Sequence, residues 1–155
     1  METNNNAITQ FELKEVNFAI LPFNQNWYWI FENAKPIGIS KSELIEIESI
    51  LKIAIEENNR GPEIDRAMNK DEFPKYSGQN ADFIISLERM NRQYVPVLNK
   101  NGDKEVWINF FCDDTFDHNW KVEPVIVLDG GNCYFSLKVN VSKKTYSDLS
   151  NNGYA

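Results

Sequence analysis

Residues 122–141 read VEPVIVLDGGNCYFSLKVNV, and this stretch decides the fold class. Two apolar runs flank Asp129-Gly130-Gly131-Asn132, the composition that a tight two-residue hairpin turn requires. After the turn, apolar and polar residues alternate with a period of two, which is typical of a strand that buries one face. The apolar set comprises Cys133, Phe135, Leu137, Val139 and Val141. The pattern predicts an antiparallel hairpin in which Leu128 lies opposite Cys133 and Glu123 lies opposite Lys138.

A second hairpin is predicted upstream, where Asn101-Gly102 separates the runs 94–98 and 104–112. Asn-Gly is the strongest short hairpin signal, and a two-residue turn would fix the strand register. In that register Val97 lies opposite Val106, and Val95 lies opposite Ile108, on one face. The other face then carries three aromatic side chains: Tyr94, Trp107 and Phe111.

One long helix is predicted over 41–58. Ser40 and Glu43 have the spacing of a capping box, and apolar residues follow on one broad arc. Asn58, Asn59, Gly61 and Pro62 are expected to end the helix. The opposite helix face is expected to be solvated, and it carries Glu46, Glu48, Lys52, Glu56 and Glu57.

The remaining segments carry weaker patterns. Short extended segments are expected at 16–21 and 27–31, and 61–79 is expected to be mostly loop with one short helix at 63–68. Residues 81–91 fit a strand or a helix, and we favour a strand from Phe83. Residues 1–10 are expected to be a disordered tail. The polar 145–155 segment is expected to be a C-terminal tail that Tyr146, Leu149 and Tyr154 can hold against the domain.

Together these segments predict an α+β fold. We expect a single domain over 11–155, with an antiparallel sheet of four to six strands and one long helix packed on one face. The C-terminal double-hairpin meander forms part of that sheet. The order of elements resembles cystatin-like folds, but the chain has no Gln-x-Val-x-Gly segment, so protease inhibition is not implied. The segments 105–112 and 129–135, with the ending 152–155, look like those of small uncharacterised bacterial proteins, and this resemblance implies no activity.

Composition restricts the function classes. The chain has 155 residues and a formal net charge of −7, with four Arg against twelve Lys. This balance argues against nucleic-acid binding, which needs clustered basic residues, and favours a basic protein partner. The first residues lack the features of a signal peptide, and no apolar run reaches membrane-spanning length. We therefore expect a soluble cytoplasmic protein, and the many Asn and Lys residues hint at a bacterial or phage source.

Cys112 and Cys133 are expected to be free thiols. Cys112 ends one predicted strand and Cys133 begins another. If residues 122–128 form a strand between these two, the cysteines lie at opposite ends of the sheet. A disulfide needs Cα atoms within about 7 Å, and a cytoplasmic location also disfavours it.

One loop mixes thiol, carboxylate and imidazole groups: Cys112, Asp113, Asp114, Asp117 and His118. The chain has too few Cys and His residues for a structural zinc site, and the loop lacks calcium-loop spacing. A Cys112–His118 nucleophile pair would also need an orienting group and an oxyanion hole, which the sequence does not indicate. We predict a solvated acidic loop, with no catalytic residue, metal or cofactor.

Aromatic residues give the most specific functional hint. Trp27, Tyr28, Trp29 and Phe31 cluster near the N-terminus, and an exposed aromatic patch would mark a protein or sugar contact. The alternative is that the N-terminal segment or residues 61–80 cover the rings. The predicted binding residues are Trp27, Trp29, Tyr94, Trp107, Phe111, Asp113, Asp114 and Asp117.

Three functions are compatible with these observations. The first is a non-enzymatic protein-binding domain, such as an immunity-type inhibitor that occludes a partner's surface. The second is a carbohydrate or small-molecule binding module that uses exposed aromatic rings. The third is an enzyme with an unrecognised site at Cys112 or nearby carboxylates. The oligomeric state is left open.

Overall fold

A six-stranded sheet and one long α-helix make up the described part of the chain, which confirms the α+β prediction. The computed structural model describes residues 18–68, 87, 90–112, 119–126 and 134–151, with 61–68 and 151 as backbone only. The elements are β1 Phe18–Ile20, β2 Lys35–Pro36, α1 Lys41–Met68, β3 Asn91–Leu98, β4 Lys104–Phe111, β5 Tyr134–Asn140 and β6 Thr145–Asn151. The predictions for 1–10, 69–79 and 81–86 lie outside these residues.

The strands follow the order β1-β3-β4-β5-β6, and β2 pairs with the same edge of β3 as β1 does. β1 runs parallel to β3, whereas β3 to β6 form an antiparallel meander. This meander is C-terminal, as predicted, but it includes β6 at 145–151 in place of the strand predicted at 122–128. Among the described residues, no helix combines the length and apolar character that a membrane span requires.

The start of α1 has the predicted capping box. The Ser40 backbone N–H donates to Glu43 Oε1 at 2.9 Å, and the Glu43 N–H donates to Ser40 Oγ at 3.2 Å. The predicted end near residue 58 is wrong, because the helix continues through Gly61 and Pro62 to Met68. The helix penalties of Gly and Pro are finite, about 1 and 3 kcal/mol, and here they do not stop the helix.

The helix packs on one face of the sheet, as predicted. Its apolar arc contacts alternate residues of β4 and β5, and the rings of Phe110 and Phe135 stack at a centroid distance of 4.4 Å. The predicted apolar face after residue 133 is confirmed, since Phe135, Leu137, Val139 and Val141 are all buried in this core. We call this the helix-side core.

The predicted register of the first hairpin is wrong by one residue. Leu98 pairs with Lys104, and the five residues between them form the loop. The Asn99 side-chain oxygen accepts hydrogen bonds from the N–H groups of Asn101 and Asp103, which stabilises this longer loop. A slip of one residue moves a strand's side chains to the opposite face. Tyr94 therefore faces the helix, whereas Trp107 faces the other side of the sheet, as does Phe111, whose ring contacts Trp120 there.

The predicted second hairpin is also wrong. β5 pairs with β4 on one edge and β6 on the other, so no edge is free for a strand at 122–128. Residues 119–126 form turns and irregular backbone, and 127–133 lie outside the described residues. The hairpin that does form joins β5 to β6 through residues 141–144.

β6 corrects the prediction of a polar tail. Its two larger side chains, Tyr146 and Leu149, both pack against the helix-side core. These two residues share a face although they are three apart, because the β5–β6 ladder has a register shift between them. Asp148, at this shift, has a φ of 54°. This bulge breaks the period of two, so the sequence does not show the strand.

Cys112 is disulfide-bonded, so the prediction of a free thiol at this position is wrong. Cys133 is the one other cysteine of the sequence, although it lies outside the described residues. Because β4 pairs directly with β5, Phe111 lies opposite Tyr134. The two strands are thus direct neighbours, without the intervening strand that the sequence prediction assumes.

We expect Cys112→Ser to lower the free energy of unfolding by about 3 kcal/mol. This is the loop-closure value for about 20 residues, the spacing of the two cysteines in the sequence. Urea denaturation of the variant measures this loss. A dithiol reductant should destabilise the wild-type protein by a similar amount and leave the variant unchanged. Equal stability of the variant and the oxidised wild type would show that the bond contributes nothing.

Candidate binding surface around Trp29

The sheet face opposite the helix is covered by two irregular segments. Residues 21–34 place Leu21, Phe23, Ile30 and Phe31 against Val95, Val97 and Trp107. Residues 119–126 complete the cover and bring the Trp120 ring edge-on to Phe111 at 5.2 Å. The alternative that the N-terminal segment covers the strand aromatics is therefore confirmed for Trp107.

A tight turn leaves two aromatic rings of this cover facing outward. The predicted extended segment at 27–31 is wrong: Gln25–Trp27 form a 3-10 helix that Asn24 caps, and a turn follows. Ile30 and Phe31 point into the core, whereas Tyr28 and Trp29 are 69% and 50% exposed. The Asn24 side chain accepts from the Asn26 N–H at 2.8 Å, which favours this turn over a strand.

Trp29 lies where three shallow grooves meet. The first groove, of about 400 Å³, is lined by Trp29, Trp107, Asn109, Ile126, Ser136 and Lys138, among others. The second includes Tyr28, Glu32 and Lys100, and the third includes Trp27, Val122 and Glu123. Val122 and Ile126 are 55% and 56% exposed. We call Tyr28, Trp29, Val122 and Ile126, with these grooves, the Trp29 surface.

Two buried amide side chains hold the 119–126 wall of this surface. Gln93 Nε2 donates to the carbonyl oxygens of Trp120 and Glu123 at 2.6 and 2.7 Å. Gln93 Oε1 accepts from the Val125 N–H and from Asn109 Nδ2, both at 2.9 Å. All four hydrogen-bonding positions of the Gln93 amide are thus occupied. The irregular wall is fixed because the sheet supplies its backbone with partners.

Charged groups of both signs surround the surface, and Lys100, which is exposed and forms no ion pair within the described residues, lies at the second groove. Lys138 is 3.5 Å from the Asp148 carboxylate and 4.7 Å from the centroid of the Phe31 ring, so it is already paired. Glu32 and Glu123 are exposed, and neither forms an ion pair within the described residues. Two free carboxylates therefore flank Trp29, one beside the second groove and one beside the third.

The structure divides the predicted binding residues. Trp27, Trp29 and Trp107 lie together at the grooves, with Trp107 buried in the floor. Tyr94 is wrong as a site residue because it is fully buried on the helix side, where burial raises the pKa of its hydroxyl. Phe111 is also fully buried, beneath Trp120. Asp113, Asp114 and Asp117, with His118, lie outside the described residues.

No sequence pattern indicates the other members of the site. Val122 and Ile126 fall in a predicted strand, Gln93 belongs to the polar run 91–93, and Asn109 is a single polar residue in an apolar run. Within the described ranges, no group of three His, Cys, Asp or Glu residues could hold a metal ion.

Comparison of the chain with protein-family models, with curated proteins and with solved structures finds no match. The resemblances drawn from element order and from the C-terminal segments therefore stay predictions.

Proposed function

We propose that this chain is a non-enzymatic protein-binding domain that occludes a surface of its partner, as an immunity-type inhibitor does. The observation that carries the proposal is the Trp29 surface, where four large apolar side chains from two segments are each at least half exposed. Clustered exposed apolar residues mark interaction sites, and Trp and Tyr are frequent hot spots of protein interfaces.

The charges support a basic partner. Glu32 and Glu123 flank Trp29 with Lys100 beside Glu32, and the whole chain has a net charge of −7, so the acidic balance comes from the chain more than from the surface itself. Acidic groups around an apolar centre speed the approach of a positively charged protein and select against acidic ones. Apolar contact at Trp29 would then hold the partner.

A non-enzymatic role agrees with the state of the candidate reactive groups. Lys138 and Asp148 in the first groove are paired with each other. The nucleophile considered in the sequence, Cys112, is engaged in a disulfide, and a disulfide sulfur is not a thiolate nucleophile.

The disulfide also bears on location. The sequence predicts a cytoplasmic protein, but disulfides persist mainly in oxidising compartments. We infer that the chain meets its partner in such a compartment rather than in the cytoplasm.

A small molecule or sugar in the first groove is the second candidate function. The observation that favours it is the concave shape of this groove, whose volume of about 400 Å³ suits a small ligand. Its aromatic rim at Trp29 could stack against a flat or ring-shaped ligand.

Affinity capture with three forms of the tagged chain tests the lead proposal. We expect wild type to retain a basic protein at low salt and to lose it as salt rises, because exposed charges are screened. Trp29→Ala should weaken binding about thirtyfold, as for a hot-spot residue. Ile53→Ala is the matched control, since Ile53 is 53% exposed but lies on the helix. Equal capture by all three forms would refute the proposal.

A further inference from the structure

The orientation of the Asn109 side chain is set by its surroundings. Asn109 Nδ2 donates to the Val125 carbonyl oxygen at 2.7 Å and to Gln93 Oε1 at 2.9 Å. A backbone carbonyl can only accept, so the end of the amide that meets Val125 is the nitrogen. Both hydrogens of that nitrogen are used, and the oxygen Oδ1 is the end that remains.

Asn109 Oδ1 has no hydrogen-bond partner among the described residues. Asn109 as a whole is 8% exposed. Among the described residues, Arg92 Nε is the one side-chain polar atom that is both inaccessible to solvent and without a partner, so Asn109 Oδ1 is not an inaccessible atom. Oδ1 is therefore open to solvent, and the space that Asn109 lines is the first groove. The groove floor thus presents a hydrogen-bond acceptor whose position is fixed from behind by Gln93 and Val125.

Trp107 adds a donor to the same floor. It lies two residues before Asn109 on β4, and alternate residues of a strand share a face. Its indole N–H forms no hydrogen bond within the described residues, although the residue is 7% exposed and lines the groove. An acceptor on Asn109 and a donor on Trp107 thus belong to two residues that line the same groove, and the exposed ring of Trp29 lies edge-on to Trp107 at a centroid distance of 5.7 Å.

We propose that the first groove binds an extended peptide segment of the protein partner, with Asn109 Oδ1 accepting from a backbone N–H and the Trp107 indole donating to a backbone carbonyl. This inference rests on the proposed function and names the part of the partner that the groove recognises. A peptide group is neutral and carries one donor and one acceptor, which matches the floor. Lys138 and Asp148 at the rim satisfy each other, so the groove does not demand a charged occupant.

Asn109 is then a specificity-determining residue. An occupant without a donor would leave Oδ1 desolvated and unpaired, which costs affinity. Occupants with a free N–H are therefore selected over ones that only fill the groove.

Two matched probes test the proposal on the intact chain. N-acetylglycine N-methylamide has two peptide N–H groups, and its analogue methylated on both nitrogens keeps the carbonyls but has no donor. Each is titrated into the ¹⁵N-labelled protein while the indole resonances of Trp29 and Trp107 are followed, and Trp29→Phe and Trp107→Phe variants assign those signals. We expect a saturable shift with the first probe and binding about tenfold weaker with the second, the effect of one unpaired buried acceptor.

Equal affinity of the two probes would overturn the inference, and so would the absence of a saturable shift with either. A methyl glucoside that saturates the same signals when the peptide probe does not would also overturn it, in favour of the small-molecule function. These results are separable from failure of the proposed function, which the Trp29→Ala capture experiment decides independently.

Discussion

Replacing Glu48 with alanine is expected to lower the free energy of unfolding by about 4 kcal/mol, because it leaves Arg92 charged and unpaired inside the protein. Glu48 on α1 and Arg92 on β3 are 3% and 4% exposed, and Arg92 Nη1 donates to Glu48 Oε1. The Tyr94 hydroxyl donates to the same carboxylate oxygen at 3.3 Å. Urea denaturation monitored by tryptophan fluorescence gives the loss.

A surface pair supplies the matched control. Glu46 on the same helix lies 3.4 Å from Lys144, and both are much more exposed than Glu48 and Arg92. Glu46→Ala should cost less than about 1 kcal/mol, as for exposed ion pairs. The double change Glu48→Leu with Arg92→Met should recover most of the loss, because no buried charge is then left unpaired. A loss for Glu48→Ala no greater than that for Glu46→Ala would contradict this explanation.

Gln93→Leu is expected to lower the free energy of unfolding by a similar amount, about 4 kcal/mol. The Gln93 amide makes four hydrogen bonds, and each contributes about 1 kcal/mol. The leucine would leave the carbonyls of Trp120 and Glu123 and the N–H of Val125 without their partner. Because these groups hold the wall of the Trp29 surface, the change should also free residues 119–126. Hydrogen exchange at the Val125 amide, measured beside urea denaturation, should become much faster.

Gln25→Leu is the control for this change. Gln25 is exposed and makes one side-chain hydrogen bond, from Nε2 to the Ala34 carbonyl at 3.2 Å. Its loss should cost about 1 kcal/mol or less and leave Val125 exchange unchanged. If Gln93→Leu affected stability and exchange no more than Gln25→Leu, the amide network would not be what holds the wall.

The parts of the fold that follow local rules could be predicted from the sequence. The capping box and the apolar arc located the start and the buried face of α1, and the period of two after residue 133 located β5. Turn composition was less informative, because Asn101-Gly102 is compatible with both a two-residue and a five-residue loop. The Asn99 side chain stabilises the longer loop. The pairing of β3 with β4 is therefore shifted by one residue from the prediction, and Tyr94 lies on the face opposite to the predicted one.

Features that depend on distant partners could not be predicted. Glu48 looks like any other acidic residue of a helix, and its burial is tolerable only because Arg92 lies opposite, 44 residues away. Gln93 and Asn109 look like ordinary polar strand residues, and their role is visible only where residues 119–126 fold over them. Trp29 was predicted as a site residue from the local aromatic cluster, and its exposed position is compatible with that role.

The location of the bound partner tests the central claim most directly. Amide and indole resonances of the ¹⁵N-labelled chain would be mapped while the captured partner is added. We predict that the largest shifts fall on Tyr28, Trp29, Val122 and Ile126, with Ile53 on the helix unaffected. Shifts centred on the exposed helix face around Ile53, with the Trp29 indole unchanged, would contradict the assignment of the Trp29 surface as the binding site.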